Sequence, residues 1–292
     1  MPSDAKGVAK GALEHTLRVS TVLGVDMLVH SADVDTSVSA SIARDRAYGK
    51  LTSDFLAAAI SDSRGHDANA SVVVALDIGA NVGYHTLQMA RLGARVVAWE
   101  CMPSHLRLLE YNARASGLGA RIHVVPRAAS NRSASLFAST TPRSPGATSL
   151  GSASRLPWAV DGGALVNASR AADELRALGV HRASVLKLDV EGHEIEALAG
   201  LGPLRALGLR RVAVEFFPPL LHANGHAPAE LLHRLDAQGF DIHAALLGGR
   251  VVPRADFEAF AARVEATGKH TDLFCYARAE ASAVQEVVPA QS

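Results

Sequence analysis

Only two cysteines, Cys101 and Cys275, occur in 292 residues, and they stand too far apart to form a CxxC pair or a zinc-ligand spacing. Reduced thiols are expected, with no disulfide and no sulfur-held metal. No stretch approaches the ~20 consecutive apolar residues that span a bilayer. The opening MPSDAKGVAKGALEHTLRVSTVLG lacks the apolar run of a secretory signal. These absences point to a soluble, cytoplasmic chain with no membrane partner. An excess of charge is missing as well. Lys and Arg together number 29, and so do Asp and Glu, so the broad basic footprint of a nucleic-acid binder is absent and no nucleic-acid partner is expected. What is present is apolar matter, 48% of the residues, enough to bury a sizeable core. The length suits one large domain or one domain with an appendage.

From residue 72 onward, apolar runs alternate with helical patterns. Val72–Leu76, Arg95–Trp99, Arg121–Val125, Ser184–Leu188 and Arg211–Phe216 read as strands covered on both faces. Helical spacing is seen over His85–Leu92, about Ser104 to Ala115, Ala171–Leu178, His193–Leu201 and Pro228–Gln238. Asp241–Leu246 and Asp272–Ala277 supply a closing strand pair. This alternation predicts an α/β fold with a doubly wound, mostly parallel sheet, helices on both faces and right-handed crossovers. Residues 1–70 do not alternate and are expected to form a helical and short-strand cap on a main domain over 71–280, with 281–292 a tail. The Ser-, Thr-, Gly-, Ala- and Pro-rich stretch 130–168 is too long for an ordinary loop. Short hairpin strands or a lid-like insertion are expected there, with Gly146, Thr148 and Ser149 ordering on binding; a flexible linker is the plainer alternative.

VVVALDIGANVGYHT (72–86) places Asp77-Ile78-Gly79-Ala80-Asn81-Val82-Gly83 where the first of these strands should hand over to its helix. In such sheets ligands bind at the carboxyl ends of strands, where the strand order reverses, and glycine at 79 permits a tight turn. A dinucleotide fingerprint needs glycine at 79, 81 and 84. Here Asn81 and Tyr84 occupy the last two positions, which argues against a pyrophosphate on this turn, and no phosphate-binding P-loop pattern occurs. Glu100 ends the next strand, 21 residues beyond Gly79, where an ionised carboxylate can accept two ribose hydroxyls. A ribose without a pyrophosphate fits S-adenosylmethionine. The bland readings are a turn carboxylate for Asp77 and a solvated acid for Glu100.

VLKLDVEGHE (185–194) puts Asp189, Glu191 and His193 after the fourth strand. On an extended backbone Asp189 and Glu191 point to the same side, and two carboxylates beside a histidine suit orientation and deprotonation of a hydroxyl. A helix N-terminus decorated with acids is the alternative and accounts for Glu191 and Glu194. Lys187 interrupts an apolar strand and is expected to snorkel or to pair with an acid. Glu215 ends the fifth strand in the corresponding place, as a substrate contact or an ion pair. His85 is the other candidate for acceptor contact, although a lone histidine, like His243, is more often packed or solvated. Asp189, Glu191 and Glu215 could hold a divalent ion, but no dense acidic cluster demands one, and no metal site is assigned.

Together DIGANVGYHT (77–86), WECMPSHLRLLEYN (99–112), VVPRAAS (124–130), KLDVEGHE (187–194) and VEFFP (214–218) resemble the FkbM-type family of S-adenosylmethionine-dependent methyltransferases. The resemblance covers about residues 26–220. It implies a class I, Rossmann-like methyltransferase fold with seven strands, the last antiparallel, and O-methylation of a hydroxyl on a secondary metabolite or sugar, releasing S-adenosylhomocysteine. It also implies that Asp77, Gly79, Asn81 and Gly83 surround the methionine part, Glu100 the ribose, Ala128 and Ala129 the adenine, and that Asp189, Glu191 and His193 face the acceptor. The expected partner is thus a small hydroxylated molecule, and a homo-oligomer is compatible with the pattern. One departure stands out: Glu100-Cys101-Met102-Pro103 replaces the family's usual Glu-Pro. A nucleotide-dependent oxidoreductase, disfavoured by the failed fingerprint, and a non-catalytic S-adenosylmethionine-binding scaffold are the competing readings.

Overall fold

The computed structural model describes residues 15–66, 72–141, 144–151 and 163–278. The expected 281–292 tail, the first fourteen residues of the expected cap and part of the 130–168 insertion lie outside the described residues. The chain opens with an antiparallel hairpin, β1 (Thr16–Ser20) and β2 (Asp26–His30), followed by α1 (Val38–Asp45) and α2 (Lys50–His66). Alternation then begins with β3 (Val74–Ile78), α3 (Tyr84–Arg91), β4 (Arg95–Trp99), α4 (Pro103–Ala115) and β5 (Ile122–Val125). Four short strands follow: β6 (Ala128–Ala129), β7 (Ala134–Thr141), β8 (Ser144–Gly151) and β9 (Ala164–Ser169), forming a separate sheet in the order β6-β9-β7-β8. The remainder is α5 (Ala171–Ala177), β10 (Val185–Leu188), α6 (Glu194–Leu201), β11 (Arg211–Phe216), α7 (Pro218–Ala223), α8 (Pro228–Ala237), β12 (Phe240–Ala244), β13 (Arg250–Val251), α9 (Phe257–Ala266) and β14 (Thr271–Ala277).

The large sheet runs β13-β12-β14-β11-β10-β3-β4-β5. Strands β3, β4, β5, β10 and β11 are parallel neighbours, and β14 is antiparallel to both β11 and β12. The doubly wound reading holds, with eight strands rather than seven: the two-residue β13 adds to the edge of β12. Strand order reverses at β3, whose neighbours are β10 and β4, so the crevice for a ligand opens above the carboxyl ends of these three strands. β3 starts two residues later than the pattern predicts. Val72 is exposed, whereas Asp77 and Ile78 lie within the ladder.

Because successive side chains alternate across a strand, the sheet has two distinct faces. Leu76, Ile78, Val97, Leu186, Leu188, Val212, Val214 and Leu273 pack into one large core with residues of α5 to α9. Ala75, Val96, Ala98, Val185, Ala213 and Phe274 form the other, under Phe55, Leu56, Ala59 and Ile60 of α2 and Met89 and Ala90 of α3. Each fully buried Leu or Phe contributes roughly 1.5–3 kcal/mol relative to exposure. The hairpin, through Met27 and Val29, and α1, through Ile42, pack against Val82, Tyr84, Leu87 and Leu108. Buried Asn112 pins the hairpin there, accepting from the Leu28 N–H and donating to the carbonyls of Leu28 and Val82.

Candidate active site

The turn after β3 is built on a contact that only glycine allows. Gly79 has φ +84, and a Cβ there would lie 1.7 Å from the Asp189 carbonyl oxygen. The two strand ends are thereby drawn together. Asn81 follows in the left-handed region, at φ 51, a conformation asparagine tolerates better than most residues. Above this turn lies a cavity of about 250 Å³ whose lining includes Gly79, Asn81, Trp99, Glu100 and Ala129 at one end and Tyr48, His85, Lys187, Asp189, Glu191 and Glu215 at the other.

Glu100 is buried and held from three sides. Its Oε2 accepts the Asn81 N–H at 2.8 Å, and its Oε1 accepts the N–H groups of Cys101 at 2.9 Å and Met102 at 2.8 Å. The departure at 100–103 therefore has a structural use. A proline directly after the glutamate would remove a donor; here Pro103 instead opens α4, where its missing N–H costs nothing. With an ionised carboxylate offering about four lone-pair sites, capacity remains on Oε2 for a hydroxyl.

Lys187 is buried at the centre of the other end. Its Nζ donates to the Gly79 carbonyl at 2.8 Å and pairs with Asp189 Oδ2 at 3.2 Å and Asp77 Oδ1 at 3.6 Å. Burial pulls its pKa down, but the charges of Asp189 and Asp77 outweigh that and raise it overall, so it stays an ammonium. Acids crowd around it. Burial, with Asp189 and Glu194 nearby, pushes the Glu191 pKa up to about 8. The same causes, burial and then Asp189 and Glu191, hold Glu215 well above the carboxylate range. Burial likewise raises Asp272, although the Thr52 hydroxyl donates to its Oδ2 at 2.9 Å. Oxygens of Asp189, Glu191 and Glu215 lie within 4.8 Å of one another, close enough to share a cation.

The structure gathers Gly79, Asn81, Glu100, Ala129, Asp189, Glu191, Glu215 and His85 around this one cavity. Other expected residues go elsewhere. Asp77 is almost wholly buried below the turn, accepting from Thr86 Oγ1 at 2.6 Å and facing Lys187. It braces the cradle from beneath. Gly83, at φ +95, sits against Leu109 of α4, whose Cδ1 would be 2.6 Å from an added Cβ, so its role is close packing. Ala128 packs into a small cluster with Met102, Ala138, Val166 and Ala168. His193 is turned away from the acids beside which its sequence position put it: its Nε2 meets Ser130 Oγ at 3.0 Å and its Nδ1 lies 3.7 Å from Glu196. Burial lowers its pKa. The reason is the backbone. β10 ends at Leu188, and Glu191 adopts φ 53, so extended-strand alternation does not continue through 189–193. Asp189 and Glu191 reach the same cavity through a turn.

Sequence reasoning missed Tyr48, Thr52 and Asp272. Tyr48 comes from the N-terminal lead-in and lines the cavity; its hydroxyl pKa is raised well above 10 by burial and then by Asp189, Glu215 and Glu191. Asp272, the second residue of β14, lies directly opposite Glu215 of β11. An acid near the start of an otherwise largely apolar last strand was its available signal.

A family model described as Methyltransferase FkbM domain matches residues 77–242, more than half of the chain. No curated protein matches it. Among solved structures, the cofactor-bound Rv0187 from MTB is 16% identical with a TM-score of 0.45, over 80% of this chain and 82% of that one. The FkbM methyltransferase of Methylobacillus flagellatus KT is 17% identical with a TM-score of 0.42, over 70% of this chain and 44% of that one. The O-methyltransferase from Bacillus cereus in complex with SAH is 12% identical with a TM-score of 0.42, over 78% and 81%. Among the described residues no helix is long and apolar enough to cross a membrane.

Proposed function

The chain belongs to the FkbM methyltransferase family, and from that premise we propose that it transfers a methyl group from S-adenosylmethionine to a hydroxyl of a small molecule. The observation that carries this reading is the shared cavity: the Gly79–Asn81 turn and Glu100 stand at one end and an acid cluster at the other. The donor set fits the cofactor. Glu100 retains acceptor capacity for a ribose hydroxyl, Ala129 offers a small apolar surface for a base, and the acid-lined end offers carboxyl oxygens toward a sulfonium. S-adenosylmethionine, when bound, supplies a methyl already activated by the positive sulfur.

The residues of the chain then have to place the hydroxyl and take its proton. Glu191 is the proton acceptor in this reading. A carboxylate whose pKa is about 8 is a far better match to operation near neutrality than an ordinary one, and general-base assistance is typically worth 10²–10⁴-fold. Asp189, fixed by Lys187 at 3.2 Å, orients the hydroxyl. Positioning at near-attack distance accounts for much of the acceleration. His193, held by Ser130, contributes structure.

Calorimetric titration with S-adenosylhomocysteine, with NADH as control, tests the cofactor reading: submillimolar binding of the former and none of the latter is expected. A panel of hydroxylated acceptors, followed by a mass gain of one methyl, tests the reaction. Asp189→Ala and Glu191→Gln should retain S-adenosylhomocysteine binding and lose turnover at least a hundredfold; wild-type turnover in both would remove the assigned roles.

A further inference from the structure

We propose that the acceptor carries a cationic nitrogen as well as its hydroxyl, and that Glu215 and Asp272 seat that cation at the far end of the crevice. The proposal rests on the methyltransferase reading and adds the class of substrate. A second cavity of about 260 Å³ adjoins the first and shares Tyr48, His85, Lys187, Asp189, Glu215 and His270 with it, among others. Its further lining comes from Ser41, Thr52 and Asp272, among others, and not from Gly79, Asn81 or Glu100. It therefore lies on the acceptor side of the reacting centre.

Three features of this second cavity call for a cation. First, Glu215 and Asp272 are direct partners in the antiparallel β11–β14 ladder, and like charges directly opposite each other destabilise a sheet. Second, the nearby positive charge is already engaged. Lys187 is committed to Asp77, Asp189 and the Gly79 carbonyl, and His270, 3.7 Å from Glu215, is a largely exposed imidazole. Thr52 gives Asp272 a hydrogen bond but no charge. Third, His85 faces both cavities while only 5% exposed, and its buried Nε2 has no hydrogen-bond partner among the described residues. Burial and the Lys187 charge push its pKa down to about 3. A neutral imidazole is a polar contact for a ligand that does not repel a cation beside it.

An organic ammonium is favoured over a metal ion by the placement of Lys187. Its Nζ lies 3.2 Å from Asp189, one of the three acids whose oxygens converge, and would repel a dication there. Lys187 lines the second cavity as well, and a singly charged ammonium meets about half the repulsion there that a dication would. An ammonium bound between Glu215 and Asp272 would displace the protons that crowding forces onto the acids, so binding should release protons.

The test loads the full chain with S-adenosylhomocysteine and titrates matched pairs at pH 7.5: glucosamine against N-acetylglucosamine, 4-aminobutan-1-ol against butane-1,4-diol, and tyramine against 4-ethylphenol. At least one amine should bind ten-fold or more tighter than its neutral partner, with a heat that varies with buffer ionisation as protons leave. Glu215→Gln and Asp272→Asn should each cut that preference at least threefold. Neutral partners binding as tightly as the amines, or no amine binding to a chain that does bind S-adenosylhomocysteine, overturns the proposal and leaves the methyltransferase reading standing. Magnesium chloride competing with the amine at micromolar concentration overturns it in favour of a metal. Failure to bind S-adenosylhomocysteine at all removes the underlying reading first.

Discussion

On one face of the large sheet, Leu186, Leu188, Val212, Val214 and Leu273 point into an apolar layer closed by α5 to α9. On the other, the same strands carry Lys187, Glu215 and Asp272, joined by Asp77 of β3. The two faces differ by a single step along each strand. One stabilises through area removed from water, which is additive and indifferent to pH. The other sets like charges side by side at low dielectric, with Lys187 buried among them, an arrangement that costs stability and is worth having only where charge must be handled. The function proposed above is concentrated where the fold is least comfortable, at the carboxyl end of the second face.

The adjacent pair Leu186 and Lys187 is the sharpest way to break this contrast. Lys187→Met leaves buried Asp77, and half-buried Asp189 with it, without their counterion and should cost about 3–5 kcal/mol at pH 7.5, shrinking as pH falls and Asp77, its pKa raised by burial, takes up a proton. Leu186→Ala should cost about 2–5 kcal/mol at every pH. Urea unfolding across pH 5–8 reads both; parallel pH profiles would erase the distinction between the faces.

A smaller effect is expected where the strand passes from Trp99 to Glu100. Glu100→Gln keeps the shape but puts an N–H₂ where an acceptor oxygen stood. It should weaken S-adenosylhomocysteine binding roughly ten-fold, about 1.4 kcal/mol, by calorimetry. Unchanged affinity would mean the ribose lies elsewhere.

The smallest effect concerns pH itself. Glu191, near 8, Glu194, near 7, and Glu215, higher than either is in an unfolded chain, bind protons more tightly folded than unfolded. Their stabilising contribution is present when they are protonated and is lost as pH rises through their folded values. His30 and His85, lowered to about 4 and about 3, act oppositely, but only below 6.5. Between pH 6.5 and 8 the acids dominate, so the ligand-free chain should lose a few degrees of Tm. Glu215→Gln should flatten that slope, while an equally steep slope in the variant would place the titrating acids outside this face.

Much of the scaffold was legible along the chain. Arg95–Trp99 and Arg211–Phe216 form strands at the predicted residues, because a continuous apolar run between turn signals has few other uses in a chain of this length. The helices α7 and α9 and the two-residue β13 passed unread, being short or weakly periodic. Around the cavity, the tight turn at Gly79 and the acid at the end of the strand at Glu100 were legible because each answers a local demand, whereas the left-handed backbone of Asn81 was not read from the sequence. His193 stands apart from Asp189 and Glu191 because a positive φ at Glu191 ends the extended backbone before it.

By itself, then, the sequence determined the alternation of strands and helices, the glycine turn after β3 and the supply of acids near strand ends, since all three follow from local pattern and residue chemistry. Tertiary structure alone decided which acids meet. Glu215 and Asp272 are far apart in the chain and become neighbours through an antiparallel pairing. Tyr48 arrives from the lead-in before β3, and Lys187 is shared between Asp77 and Asp189. Strand order brings these side chains together, and at the low dielectric of the crevice their proximity sets both their proton affinities and the charge of whatever can bind between them.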